Sequence, residues 1–145
     1  MQVTPDFSGF ESGYRSGLTQ VVSTTLGADL ETPVSAMIKL AKGQPNSFLL
    51  ESVEGGSIRG RYSFIGLKPD LIWRCYGDRA ELNRDAIDSA ESFAPCPVAE
   101  KDGVLASFRA LLAESKFDLP ENMPPMASGL FGYMGYDMVR LAENV

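Results

Sequence analysis

The chain's periodicities predict an α+β fold, an antiparallel β-sheet meander with about three packed helices. Three observations carry that prediction. Two short apolar or aromatic runs, Phe48 to Leu50 and Tyr62 to Ile65, flank a connection containing Gly55, Gly56 and Gly60, the pattern of two paired strands. Pro69 to Tyr76 alternates between two faces and passes through Gly77-Asp78 into Arg79 to Leu82, a second pair. Val34 to Ala41 and Val104 to Leu112 instead space their apolar groups by three and four, which is helical.

Taken in order, Phe7, Phe10, Tyr14 and Leu18 form the apolar side of a short helix weakened by Gly9, Gly13 and Gly17. Leu18 to Leu26 then turns β-branched, with Val21, Val22, Thr24 and Thr25, and suits a strand. Thr32 is placed to accept a hydrogen bond from the free amides of a helix start, and Pro33 fits the first helical position because it has no N–H to satisfy. Asp29 and Glu31 favour the positive end of that helix; Val34, Met37, Ile38 and Ala41 make its apolar face, and Gly43 ends it. Beyond the hairpin, Leu71, Trp73 and Cys75 share one strand face, which makes Trp73 a core or interface aromatic rather than a ligand-stacking platform.

Asn83 to Glu100 carries few large apolar groups among Asp85, Asp88, Glu91, Pro95 and Pro97 and reads as an exposed loop. Its acids are spaced by three, unlike the alternating ligands of a calcium loop, so they read as solvated charge. Asp102 is expected to cap a helix whose apolar face is Val104, Leu105, Phe108, Leu111 and Leu112. Pro120, Pro124 and Pro125 make the segment after that helix stiff and extended. Gly129, Gly132 and Gly135 then recur among Leu130, Phe131, Tyr133, Met134 and Tyr136, a spacing suited to a closely packed strand or a bend and unlike a dinucleotide fingerprint. Asp137 to Asn144 has helical propensity, with Met138, Leu141 and Ala142 as an apolar stripe.

Length and composition exclude several classes. The 145 residues suit one domain, and 44% hydrophobic with 22% charged residues is ordinary for a globular protein. There is no apolar run near 18 residues and no basic, apolar N-terminal leader, so neither membrane nor secretion is expected, and a cytoplasmic location follows. Net charge is −6 and no basic cluster exceeds Arg59 with Arg61, which argues against nucleic acid. Cys75 and Cys96 are too few and too far apart for a zinc site or a disulfide framework. Without a single histidine, the chain can hold neither a Ser-His-Asp nor a Cys-His centre.

The hairpin carries the chemistry. Leu50, Glu51 and Ser52 lie where its first strand ends, and Arg59 and Arg61 where the second begins. Donors, acceptors and both signs of charge beside apolar walls suit a small zwitterionic ligand. The same residues equally suit a plain hairpin mouth, with the leucines in a core and Glu51 paired to an arginine at the rim.

Leu49-Leu50-Glu51-Ser52-Val53-Glu54-Gly55-Gly56, followed by Gly60-Arg61-Tyr62-Ser63-Phe64-Ile65-Gly66, resembles the N-terminal region of the large subunit, component I, of anthranilate synthase. Leu30-Glu31-Thr32-Pro33-Val34-Ser35-Ala36 before it and Gly129 to Tyr136 after it are similar to the same family in the same order, so the resemblance extends over nearly the whole chain. It implies an N-terminal regulatory region, residues 1–145, of an enzyme converting chorismate and ammonia to anthranilate and pyruvate in tryptophan biosynthesis. Its Mg2+ and catalytic groups would lie in a C-terminal region absent here, and ammonia would come from glutamine through an amidotransferase subunit. Catalytic and metal residues are therefore expected to be none in this chain, which reads as a fragment and is incomplete without that region. The matching positions for an allosteric L-tryptophan site are Leu50, Glu51 and Ser52, with Arg61 facing the ligand carboxylate, and they would supply one wall of the pocket. The related component I of aminodeoxychorismate synthase, or a free-standing amino-acid-binding module, are the alternatives.

Overall fold

The computed structural model describes residues 2–51, 62–117, 119–121, 123–124 and 126–143. The chain divides into two compact units, Met1–Glu31 with Lys116–Gly129 and Thr32–Ser115 with Leu130–Val145.

In the first unit, β1 (Val3–Thr4) pairs antiparallel with β2 (Ser23–Thr24), and α1 (Phe7–Arg15) lies between them in sequence. The Asp6 carboxylate starts the helix by accepting the Gly9 amide at 2.8 Å, answering one of the donors a helix N-terminus leaves open. Glu11 and Arg15 pair one turn apart at 2.6 Å, and the Phe10 and Tyr14 rings stack at 5.9 Å. The strand expected over Leu18 to Leu26 is cut to two residues. β-branched side chains favour extended backbone, but a ladder is only as long as its partner, and β1 offers two positions.

In the second unit, α2 (Pro33–Ala41) begins as its sequence predicts. The Thr32 hydroxyl accepts the Ser35 amide at 3.1 Å while the Ser35 hydroxyl accepts the Thr32 amide at 2.9 Å, a reciprocal cap that satisfies two orphan donors. The helix ends at Lys42, left-handed at φ 46°, followed by Gly43 at φ 75°. It packs beside an antiparallel ribbon of β3 (Phe48–Glu51) and β4 (Ser63–Gly66).

A three-stranded sheet comes next, in the order β5 (Ile72–Tyr76), β6 (Arg79–Asn83) and β7 (Ala94–Pro95). Helices α3 (Pro97–Asp102) and α4 (Val104–Glu114) pack on it, and a 3-10 turn spans Tyr136–Leu141. Its core gathers Ala80, Cys96, Ala99 and Val104, closed by Trp73, Cys75, Leu82 and Leu141. Trp73 is the core aromatic its strand position predicts. Its ring lies 5.2 Å from that of Phe108, and its N–H donates to the buried Ser107 hydroxyl at 3.2 Å, which donates in turn to the Val104 carbonyl. On the other sheet face Arg74 pairs with Glu81 at 3.0 Å and lies over the Phe93 ring.

Four expectations are corrected here, within a class that remains α+β. The strands form three small antiparallel sheets among the described residues, not one meander. Asn83 to Glu100 is not an exposed loop: it contributes β7, the start of α3 and buried Asn83, Ala86, Cys96 and Ala99. Small side chains fill the core there, and Asn83 stands in for backbone partners, accepting the Asp85 amide at 2.9 Å and donating to the Ser89 carbonyl at 2.6 Å. Asp102 does not cap α4. It closes α3, and Gly103 at φ 91° turns the chain between the two helices. Of the strand or bend expected over Gly129 to Tyr136 the strand is not formed, and the segment leads into the 3-10 turn.

Cys75 and Cys96 are both free. They flank Ala80, which pairs with Cys75 across β5 and β6 and whose carbonyl accepts the Cys96 amide. Two strand spacings put their Cα atoms about 9–10 Å apart, beyond disulfide reach of about 7 Å.

Candidate functional site

The β3–β4 ribbon holds the predicted site residues that fall among the described ones. Its register pairs Phe48 with Gly66, Leu49 with Ile65, Leu50 with Phe64 and Glu51 with Ser63. Since side chains alternate along a strand, Phe48, Leu50 and Phe64 share one face with Gly66, while Leu49, Glu51, Ser63 and Ile65 share the other.

On the first face, Phe48 lies over Gly66, where an added Cβ would stand 2.1 Å from its ring. Phe131 packs on the same ring with centroids 5.0 Å apart. One register step toward the ribbon's end the cover stops: Leu50 is 43% exposed and so is Tyr62, whose ring meets that of Phe64 at 6.0 Å. On the second face Glu51 is exposed, with Ser63 opposite it.

Leu50 and Glu51 thus sit next to one another in sequence but send their side chains to opposite faces. A ligand that meets both has to reach round the ribbon's edge or end. Ser52 and Arg61 lie outside the described residues, as does the connection with Gly55, Gly56 and Gly60. Sequence reasoning did not single out Phe64, which the register sets opposite Leu50, or Tyr62, whose ring meets that of Phe64.

Among the described residues, two concavities lie away from the ribbon. One of about 300 Å3 lies at the start of α4 between Asp78, Asp102, Gly103 and Leu141, and the other, about 260 Å3, is lined by Gln2, Thr4, Ser23, Thr24 and Thr25. No three His, Cys, Asp or Glu side chains converge as a metal site among the described residues. Burial, and secondarily the Asp78 carboxylate, pushes the Cys75 thiol above its ordinary value, which disfavours the thiolate. Arg84 and Glu114 form a two-point ion pair at 2.5 and 2.8 Å. Its hydrogen bonds raise the guanidinium further and hold the carboxyl below its ordinary range. None of this is acid, base or nucleophile machinery facing a cleft.

Among proteins of known name, the chain is similar to anthranilate synthase component 1 of Cereibacter sphaeroides, 50% identical over 139 residues, covering 96% of this chain and 27% of that protein. The protein of the same name from Synechocystis is 39% identical over 142 residues, 97% of this chain and 26% of that one. That from Pseudomonas putida is 38% identical over 117 residues, 81% and 22%. The chain therefore spans about a quarter of the length of the curated relatives it matches, in their N-terminal region. No family model matches it, and no solved structure does.

Proposed function

We propose, from a sequence similar to the N-terminal region of proteins named anthranilate synthase component 1, that the chain is the regulatory part of such an enzyme's large subunit. The 50% identity across 96% of the chain is the observation that carries this reading. The parent enzyme would convert chorismate and ammonia to anthranilate and pyruvate in the cytoplasm, with an amidotransferase subunit releasing the ammonia from glutamine. No helix among the described residues is long and apolar enough to cross a membrane.

Mg2+ would assist the parent's chemistry, but the described residues bring no ligand set together for it, so no step here is routed through the metal. The chain's own contribution is control. Leu50, Glu51, Ser52 and Arg61 would form one wall of an L-tryptophan site, with Ser52 giving a hydroxyl hydrogen bond, Glu51 meeting the ammonium group and Arg61 the carboxylate. Feedback then acts as differential affinity: tryptophan shifts the enzyme only by binding an inactive arrangement more tightly than an active one. An exposed ribbon end supports this reading, because a wall that awaits a ligand and an opposing surface has to be accessible.

The test is Ser52→Ala in the full-length enzyme, with inhibition referred to the variant's own uninhibited rate. Weaker inhibition by L-tryptophan is expected, and an unchanged inhibition curve overturns the site. Residues 1–145 alone, given chorismate, ammonia and Mg2+, are expected to make no anthranilate by fluorescence, since among the described residues no three His, Cys, Asp or Glu side chains converge as a metal site. Turnover would overturn that assignment.

A further inference from the structure

Phe48 has one place to rest on the ribbon, over Gly66, where even a methyl group would come within 2.1 Å of its ring. Phe131 comes to that ring from a distant part of the chain and packs on it at 5.0 Å, with the two planes 31° apart. Backbone pairing does not support this contact. Among the described residues, 129–135 lies outside every helix and strand, and its amides and carbonyls make no bond to β3 or β4. Phe131 itself is 37% exposed, so its ring rests on the ribbon rather than sinking into a core. Beside it, Gly132 has open space where a Cβ would stand, which leaves the segment room to shift. The segment starts at Gly129, whose φ of 144° suits glycine, and the division between the chain's two units falls just after it. It ends in the 3-10 turn, whose Leu141 closes the core at Val104.

One ring on another, with no ladder behind it, is a contact that is made and broken at small cost, so the segment has two arrangements of similar free energy: Phe131 seated on Phe48, and Phe131 lifted from it. Phe48 and Leu50 share a strand face about 7 Å apart, so whatever engages Leu50 adjoins the seated ring and has no such neighbour when the ring is lifted. That difference is what an effector needs to shift a population. From this geometry we infer that Phe131 is a switch coupling the ribbon to the rest of the enzyme: the seated ring belongs to the inhibited arrangement, and occupancy at Leu50 draws the segment into it. The inference rests on the effector reading above and goes past binding, since it names the side chain through which occupancy is transmitted. Phe131 is a positioning residue in this account, and the chemistry lies elsewhere.

The experiment follows the full-length enzyme carrying Phe131→Ala, Phe131→Tyr or Phe48→Leu over rising L-tryptophan, each referred to its own uninhibited rate, and reads the residual rate at saturation. Weaker binding alone moves the inhibition curve to higher concentration and ends at the same residual rate, whereas lost coupling raises the residual rate itself. Phe131→Ala is expected to raise it at least about fivefold, the low end of coupling between sites, while L-tryptophan still binds by calorimetry. Phe48→Leu, which removes the seat from the ribbon's side, is expected to do the same, and Phe131→Tyr, which keeps the ring, to stay within about twofold. A Phe131→Ala enzyme that is inhibited down to the unaltered residual rate, or that no longer binds L-tryptophan, overturns the switch and leaves the effector reading standing. An unaltered enzyme that L-tryptophan does not inhibit sinks the effector reading, and the switch with it. Should Phe131→Ala fail to fold by circular dichroism, Phe48→Leu decides on the same criteria.

Discussion

At Gly66 the chain has room for a hydrogen and nothing larger. An added Cβ would lie 2.1, 2.3 and 2.9 Å from three ring carbons of Phe48, and Phe131 packs on that ring with centroids 5.0 Å apart. Gly66→Ala is therefore expected to destabilise the 145-residue chain by about 1–3 kcal/mol in urea unfolding, the range for overpacking a constrained site. Phe48→Leu in the same chain is expected to recover part of that loss, giving a non-additive double-mutant cycle; two losses that simply add would sink the packing account. Nothing in the motif Ser63-Phe64-Ile65-Gly66 reveals this role, because the clash depends on a register partner 18 positions away. Trp73 and Thr32 were legible for the opposite reason: a strand alternation and a cap are written within a few neighbouring residues. Asn83 was not, since a polar residue reads as surface until the turn it satisfies is known.

Among the elements, α2 and α4 show what local pattern settles and what it leaves open. The cap of α2 is local, so Thr32→Ala is expected to remove about 1 kcal/mol of stability, measured by urea unfolding, and Thr32→Asp to keep most of it. The start of α4 was misread because an aspartate before an apolar run looks like a cap whether it opens one helix or closes the preceding one, and only the backbone at Gly103 decides. The far end of α4 is tied to the turn after β6 by Arg84 and Glu114, 30 residues apart. Glu114 has a depressed folded value, so its contribution is present above its ordinary 4.5 and is lost as pH falls through the lower folded value. Glu114→Gln is accordingly expected to lower the melting temperature slightly near neutral pH and to converge with the unaltered protein in acid. The difference should shrink in high salt because both side chains are half exposed. A gap that persists unchanged in acid would mean that packing, not charge, holds this joint.

For the molecule as a whole, the apolar residues are far more numerous than the buried places the described chain gives them. Among the described residues the buried apolar set is seven, of which four are alanines: Ala41, Ala80, Ala86, Ala99, Cys96, Val104 and Leu111. Meanwhile Leu30 is 97% exposed, Tyr133 96% and Ile38 69%, the last on the very face of α2 that its periodicity marks as core. Helical and strand periods were readable because they belong to single elements, while the separation into three small sheets was not, since it depends on which elements meet. Uncovered apolar surface of this extent is satisfied by any matching surface, including that of a second copy, because the hydrophobic effect is non-directional and scales with area. Residues 1–145 in isolation are therefore expected to self-associate, with sedimentation velocity showing a weight-average mass that rises with concentration up to the order of 100 μM. Ile38→Lys, which puts a charge on the exposed stripe of α2 without touching buried Ala41, is expected to shift that rise to higher concentration while leaving the far-ultraviolet circular dichroism spectrum unchanged. A chain that stays monomeric over the whole range would show instead that its own apolar groups find cover in solution.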